Sequence, residues 1–471
     1  RGDHIKKMIS KLHSIAIILV SVFTEFPTTL LLLPVAIVLS DVFASIVRRF
    51  TARSGHSEMS IKAAKARQLR DNKRNARGEK FLTKLPSEKQ REEILNMTAE
   101  QVIAAIKNKK FSCEAILQTF IAQAQKCAKE FNAVTEEPFE EALEAARAVD
   151  AKVARGDVLR PLEGLPISVK DCVEQRNCLA TCGLASKADV VLKDDGLLVK
   201  LLRDAGAIPF VRGNIPQALM LPESDNYVWG RTSNVWNKDR SPGGSSGGDA
   251  ALVAFRAAPI GIGGDIGGSL RIPASFTGIT TLKATPLRVT RSGSHMPRHD
   301  PYGSQPSVRA VAGPLTRRVD DLKLIFEHAW WTESAFKGDS TSVPMPFDHK
   351  QYNSTKQLTI GYYDDDEYFT PVPACRRAVQ EAAEAFKAAG HIVKRFDPVR
   401  VREAVMCFYG IMSADGHMAG FYNGLQGEKL LYIYESLATM AFIPAYLRPI
   451  LAALLKAIGE IRASDLISIA G

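Results

Sequence analysis

Two glycine-rich segments, SPGGSSGG (241–248) and GIGGDIGGS (261–269), carry serines among backbone N–H groups unshielded by bulky side chains. The apolar stretch DAALVAFRAAPI between them predicts a helix packed under two loops, which a flexible Gly/Ser spacer would not contain. At Gly267 and Gly268 the open N–H groups lead directly to the hydroxyl of Ser269. A tetrahedral acyl-transfer intermediate needs such donors beside the attacking oxygen, and glycine allows the close approach. Other motifs fit poorly. The run from Gly244 to Gly248 satisfies G-x-S-x-G, the elbow of α/β-hydrolases, but nothing marks one of the histidines from His295 to His417 as its partner. Ser269 stands where a phosphate-binding loop needs Lys, and Ile266 where a dinucleotide fingerprint needs Gly or Ala.

The elements that must position these groups follow from pattern. GLPISVKD (164–171) predicts a short buried strand ending on Lys170 and Asp171. Thr98 with Gln101 forms a capping box ahead of an apolar-periodic stretch, Ser112 can cap a second helix, and residues 138–155 predict a third. LLVKLLRDAGAIPFVRGN (197–214) and VQEAAEAFKAAGHIVKRF (379–396) each predict a helix closed by Gly and followed by a strand, the rhythm of a layered α/β domain. No period of 20 to 50 residues recurs.

With 471 residues, 46% of them hydrophobic and 24% charged, the chain is long enough for one large α/β unit or about three domains. Its net charge of +10 is local: 15 of the 61 Lys and Arg but only 6 of the 51 Asp and Glu lie in residues 1–80, leaving 46 against 45 beyond. That excludes a basic nucleic-acid surface on the main body. Seven cysteines, an odd count, argue against a disulfide framework and for a reducing compartment. Cys172, Cys178 and Cys182 lack both a CxxC pair and a neighbouring histidine, which favours buried thiols over zinc.

Residues 28–47 are twenty positions with one charge, Asp41, preceded by the apolar run 14–23. That length spans a bilayer; the alternative is a buried helical hairpin broken at Pro27, since Glu25 and Asp41 are costly at membrane depth. Eleven basic and three acidic residues from Arg48 to Lys80 predict a juxtamembrane helix that lies on anionic lipid or is simply solvated, with the body on the cytosolic side. Residues 429–462, split at Pro444 and Pro449 and bearing Arg448, Lys456 and Arg462, predict interfacial helices or a core or homodimer helix.

Taken together, GLPISVKD, SPGGSSGGDAALVA and GGDIGGSLRIPASFTGI resemble the amidase signature family of serine hydrolases. The resemblance runs from about Leu95 to Phe396, through NIPQALM (214–220), GPLTRRVDDL (313–322) and IGYYDDDEYFTPVPACRRAV (360–379), the last resembling fatty acid amide hydrolases more than bacterial amidases. It implies an α/β amidase signature fold, a large mixed twisted β-sheet flanked by helices, and chemistry without metal or cofactor. It also implies roles: catalytic Lys170, bridging cis-serine Ser245 and nucleophile Ser269, with oxyanion donors at Ile266, Gly267, Gly268 and Ser269. Leu219, Met220, Ser245 and Ser246 fall on the substrate side, Ser246 also supporting the loop. A lysine can draw a serine proton only when neutral, which burial favours. Taken alone, Lys170 and Asp171 could be a surface ion pair and Ser245 a loop hydrogen-bonder, while Asp249 and Asp265 suit loop-bracing acceptors. Gly264, where most relatives have Thr or Ser, LKATP (282–286), and Met220, where close relatives are often aromatic, depart from the pattern.

The expectation is therefore a membrane anchor over 1–47, a basic linker over 48–80 and a catalytic domain over 81–471, with membrane-cap helices at 429–462 and a C-terminus cut short at ISIAG. Its function would be cleavage of fatty acid amides, N-acylethanolamines and primary amides, at an intracellular membrane facing the cytosol. Its partners would be the lipid amide and membrane lipids, with a homodimer a further candidate, and no nucleic acid. The alternatives are a general amidase, an amidotransferase-type subunit acting on charged tRNA, or a catalytically silent membrane scaffold.

Overall fold

A computed structural model describes residues 58–77, 80–297, 307–412, 424–434, 443 and 446–469. The chain divides into Arg1–Ser57 and Glu58–Gly471, and the described residues all belong to the second unit. The expected anchor lies outside them; among the described residues no helix is long and apolar enough to cross a membrane.

A five-stranded mixed sheet, order β2-β1-β3-β5-β4, forms the frame: β1 (Pro166–Lys170), β2 (Ile208–Gly213), β3 (Ile260–Asp265), β4 (Thr280–Thr281) and β5 (Val311–Thr316). β1 runs parallel to both β2 and β3, while β5 is antiparallel to β3 and β4. Every residue of β1 and β2 is buried, as expected of parallel strands covered on both faces. The alternation of β1 puts Ile167 and Val169 on one face and Ser168 and Lys170 on the other.

The helices capped by Thr98 and Ser112 form where the sequence predicts them, and a further one starts at Ser87. α1 covers residues 58–77; α2 (Glu88–Asn96) and α3 (Ala99–Lys107) start at capping boxes on Ser87 and Thr98; α4 (Cys113–Phe131) is capped by Ser112. α5 (Phe139–Arg155) ends at Gly156, in the left-handed conformation with φ +79°. α6 (Leu197–Asp204) leads into β2, and α7 (Gly247–Ala254) into β3. The second glycine-rich segment is thus only partly a loop: residues 261–265 are strand, because their glycines let α7 lie close over the sheet.

The described part of the basic linker is not a free helix. Arg67 donates from Nε to Val228 O at 3.0 Å, Arg74 pairs with the buried Glu137 at 2.7 Å, and Arg77 pairs with Glu140 at 2.8 Å. Arg70 lies over the Trp229 ring, and Ala63 and Ala66 pack into a small core with Leu179, Val228 and Trp229.

Beyond the main sheet, α8 (Arg271–Thr277) follows the site loop. Further on, β6 (Thr359–Tyr362) and β7 (Ile392–Arg395) form a parallel pair joined by α9 (Pro373–Ala388). α10 (Val401–Met412), α11 (Arg448–Ala457) and α12 (Ile461–Ile469) come last, with Asp465 of α12 gripped by Arg402 of α10.

Arg212, fully buried on β2, ties the end of β1 in place. Its guanidinium donates to Asp171 O and, at 2.8 Å, to Leu179 O, and it sits 3.8 Å from the Glu136 carboxylate. Arg212→Leu should therefore leave the two carbonyls and the nearby buried Asp171 carboxylate without its charge and cost about 3–5 kcal/mol, read as a lower urea midpoint. A variant within 1 kcal/mol of wild type (about the size of a surface change) would refute this role.

Candidate active site

Lys170 ends β1 with its side chain 2% exposed, and Nζ donates to Ser245 Oγ at 2.7 Å and to Ser246 Oγ at 3.0 Å. Asp171 is no surface partner to it. Its carboxylate accepts from Thr181 Oγ1, Cys182 N and Trp229 Nε1, fully buried on the other side of the strand end. Both serines come from the turn before α7, where the Gly244–Ser245 peptide bond is cis. A Cβ on Gly248 would run into the backbone of Asn214 and Ala133, so only glycine allows α7 this close to the end of β2.

Ser246 holds the two glycine-rich segments together. Its N–H donates to Ser269 O at 3.1 Å, and its hydroxyl bonds the Gly264 backbone at 3.3 Å. Occupied in this way, it cannot cap α7, whose first N–H groups go instead to Ser224 Oγ and Asn214 O. Ser269 lies four residues past the end of β3, at the carboxyl end of the parallel strands where open α/β sheets hold ligands.

The loop carrying Ser269 is braced by Asp265, whose carboxylate accepts from Gly268 N at 2.9 Å and Leu270 N at 3.1 Å and pairs with Arg271 at 3.0 Å. Burial opposes its ionisation, but Arg271 and these N–H groups outweigh it and hold the carboxyl below its usual range. Gly268, at φ +134°, gives the turn that aims its own N–H at Asp265. Among the described residues the N–H groups of Ile266, Gly267 and Ser269 make no hydrogen bond, so these three remain open while Gly268 is engaged.

A cavity of about 40 Å³ brings together Lys170, Ser245, Ser269, Ile266, Leu219 and Met220. Ser246, Gly267 and Gly268 do not line it; Gly267 is exposed, with Phe408 of α10 close against it. A Cβ at Gly264 would meet Val311 O at an ordinary 3.6 Å, so that departure leaves room beside the cavity and is not required by the backbone. Five of the seven cysteines, Cys172, Cys178 and Cys182 among them, are buried and unpaired, with burial pushing the Cys178 thiol up to about 12, while Cys375 and Cys407 are exposed.

Sequence reasoning missed two features. Asp249 is a helix residue, not a loop brace: Ser168 Oγ donates to its Oδ1 at 2.8 Å, and its buried Oδ2 has no partner among the described residues. The two-residue spacing of Ser168 and Lys170 on one strand was the available signal. The second is His295, which lines the cavity with Nε2 2.7 Å from Glu174 Oε1; no local pattern marks it.

Residues 115–449 match the family described as Amidase. The chain is 33% identical over 424 residues to the Vitamin D3 hydroxylase-associated protein of Gallus gallus, covering 89% of each. It is 32% identical over 366 residues to Fatty-acid amide hydrolase 1 of Sus scrofa, covering 78% of this chain but 61% of that one, less than two thirds of its length. A solved fatty acid amide hydrolase structure matches with TM-score 0.71 and 28% identity, over 80% of this chain and 70% of the other.

Burial pushes the Asp249 carboxyl up to about 7 from an ordinary 3.8. The folded chain thus binds a proton there that the unfolded chain has released, so stability falls as pH rises through that window. Asp249→Asn removes the titration. Its stability relative to wild type should improve between about pH 4 and pH 7.5, as urea denaturation at both values would show; a difference independent of pH would mean that Asp249 stays ionised in the fold.

Proposed function

The chain belongs to the amidase signature family, and from that premise we propose that it hydrolyses fatty acid amides through an acyl-enzyme on Ser269, activated by Ser245 and Lys170. The observation that carries the reading is the buried Lys170–Ser245 hydrogen bond opening on the cavity that also holds Ser269. Ser269 Oγ attacks the amide carbonyl carbon and passes its proton to Ser245 Oγ, which passes its own to a neutral Lys170 Nζ. The route reverses to protonate the leaving nitrogen as the C–N bond breaks. Water then releases the fatty acid from the Ser269 ester. The developing oxyanion faces the N–H groups of Ile266, Gly267 and Ser269, with Gly268 joining if it leaves Asp265. No step calls for a metal or cofactor.

Support for a lipid substrate and a membrane surface comes from the names of the relatives and from α11 and the residues beside it. Tyr446, Ile450, Leu454, Ile458 and Ile461 are exposed at helical spacing, the kind of face that lies in a bilayer interface. Of the three flanking cations, Lys456 makes no ion pair among the described residues, whereas Arg448 is buried and donates to Ile443 O, and Arg462 donates to Tyr368 O over the Phe369 ring. The cavity favours a second reading, a general amidase for small amides, because 40 Å³ is far below the ~300–1,000 Å³ of ligand pockets and encloses little beyond the amide itself.

Reaction with a fluorophosphonate probe followed by peptide mass spectrometry should place the adduct on Ser269. Ser269→Ala should lose the adduct and all turnover, while Lys170→Ala and Ser245→Ala should slow labelling by about 10²–10⁴-fold. Turnover by Ser269→Ala at the wild-type rate would refute the nucleophile. In a panel of primary amides, kcat/KM rising with acyl length supports the lipid substrate, and a flat or falling series supports the small-amide reading. Ile450→Glu combined with Leu454→Glu should weaken sedimentation with phosphatidylcholine vesicles and spare hydrolysis of a short soluble amide; unchanged sedimentation would remove this face from the membrane reading.

A further inference from the structure

Arg291 lines the same cavity as Lys170, Ser245 and Ser269, half-buried, on a turn fixed to the segment that follows Lys170. Ser294 N–H donates to Arg291 O at 3.0 Å and Ser292 N–H to Thr290 Oγ1 at 3.1 Å, while the Thr290 hydroxyl donates to Asp339 at 2.6 Å. Ser294 bridges to Val173, and the His295 N–H donates to Cys172 O at 2.8 Å. The turn that carries the arginine is thus tied to Cys172 and Val173, two and three residues beyond Lys170.

Among the described residues the Arg291 guanidinium has no hydrogen-bond acceptor and no carboxylate. The acids that flank the site are committed elsewhere, Asp265 to Arg271 and Glu174 to His295. The charged group that acts on Arg291 is another cation, Arg309; burial first, and then this neighbour, pull its pKa below the ordinary arginine value. A guanidinium keeps its charge and offers a planar fork of donors; that of Arg291 is half-buried with no acceptor among the described residues, and a ligand carboxylate would satisfy both the charge and the fork.

The rest of the lining says where that anion belongs. Leu219, Met220 and Met296 are apolar and suit the acyl side, so the charge must come with the amine. Arg291 lines the same cavity as Ser269, so an anion that it holds lies within a few bonds of the amide nitrogen. We propose that Arg291 forms an anion subsite that selects N-acyl α-amino acids, whose carboxylate stands one carbon from the amide nitrogen. The proposal rests on the amide-hydrolase reading above and adds the substrate class: water and an N-acyl amino acid give the fatty acid and the free amino acid, by cleavage of the same C–N bond.

The test compares N-oleoylglycine with N-oleoylethanolamine, which differ only in a carboxylate against a hydroxymethyl group. Wild type should favour the glycine conjugate. Arg291→Met should lower kcat/KM for that conjugate about 10- to 100-fold relative to the ethanolamide, chiefly through KM, and Arg291→Lys should restore part of the ratio. An unchanged ratio in Arg291→Met overturns the subsite. If wild type cleaves neither amide, the hydrolase reading fails on its own, and the subsite is judged by N-oleoylglycine binding in isothermal titration. Weaker binding to Arg291→Met than to wild type upholds it, and equal or undetectable binding to wild type overturns it.

Discussion

A lysine buried at the end of a strand is the constraint on which the surrounding structure depends. An amine taken out of water costs several kcal/mol unless hydrogen-bonded, and Lys170 has its partners in two consecutive serines, Ser245 and Ser246, from a different element. The start of α7 must therefore press against β1 and β2. Glycine at 248 follows from that approach, and so does the transfer of the helix's first N–H groups to Ser224 and Asn214, since Ser246 is already occupied.

Charge is abundant around this seam, yet nearly all of it is structural. Asp171 ties the strand end to Thr181 and Trp229 beside Arg212, and Asp265 shapes the loop of Ser269 through backbone donors and Arg271. These paired groups hold positions, while Lys170, Ser245 and Ser269 face the cavity. Asp249, with one oxygen unpartnered, and Arg291, with no acceptor, both among the described residues, stand outside that pattern, which is why each suggests a role that the paired groups do not.

The basic stretch after residue 57 illustrates how one composition serves two purposes. A run of arginines and lysines on a helix suggests a lipid-facing surface, but Arg67, Arg74 and Arg77 of α1 are anchors to carbonyls and carboxylates of the body. Arginine's fork suits it to such bidentate and backbone contacts, whereas charge counting treats it as identical to lysine. The same happens at Arg448 and Arg462, which are committed within the protein while the apolar positions of α11 face outward.

The sequence alone determined what depends on local chemistry: the capped helices at Thr98 and Ser112, the buried strand ending in Lys170, and the glycine-rich segments with their serines. Caps, alternation and glycine act within a few residues, so they are legible in one dimension. Tertiary structure decided which of these meet. That Asp171 turns away from Lys170, that half of the second glycine-rich segment is a central strand, and that Asp249, Arg291 and His295 join the site all depend on sheet order and on contacts that local pattern does not encode, such as Trp229 on Asp171 and Ser168 on Asp249. Burial then settled which charges stay paired, because the cost of desolvation depends on what surrounds a group in space and not on its neighbours in the chain.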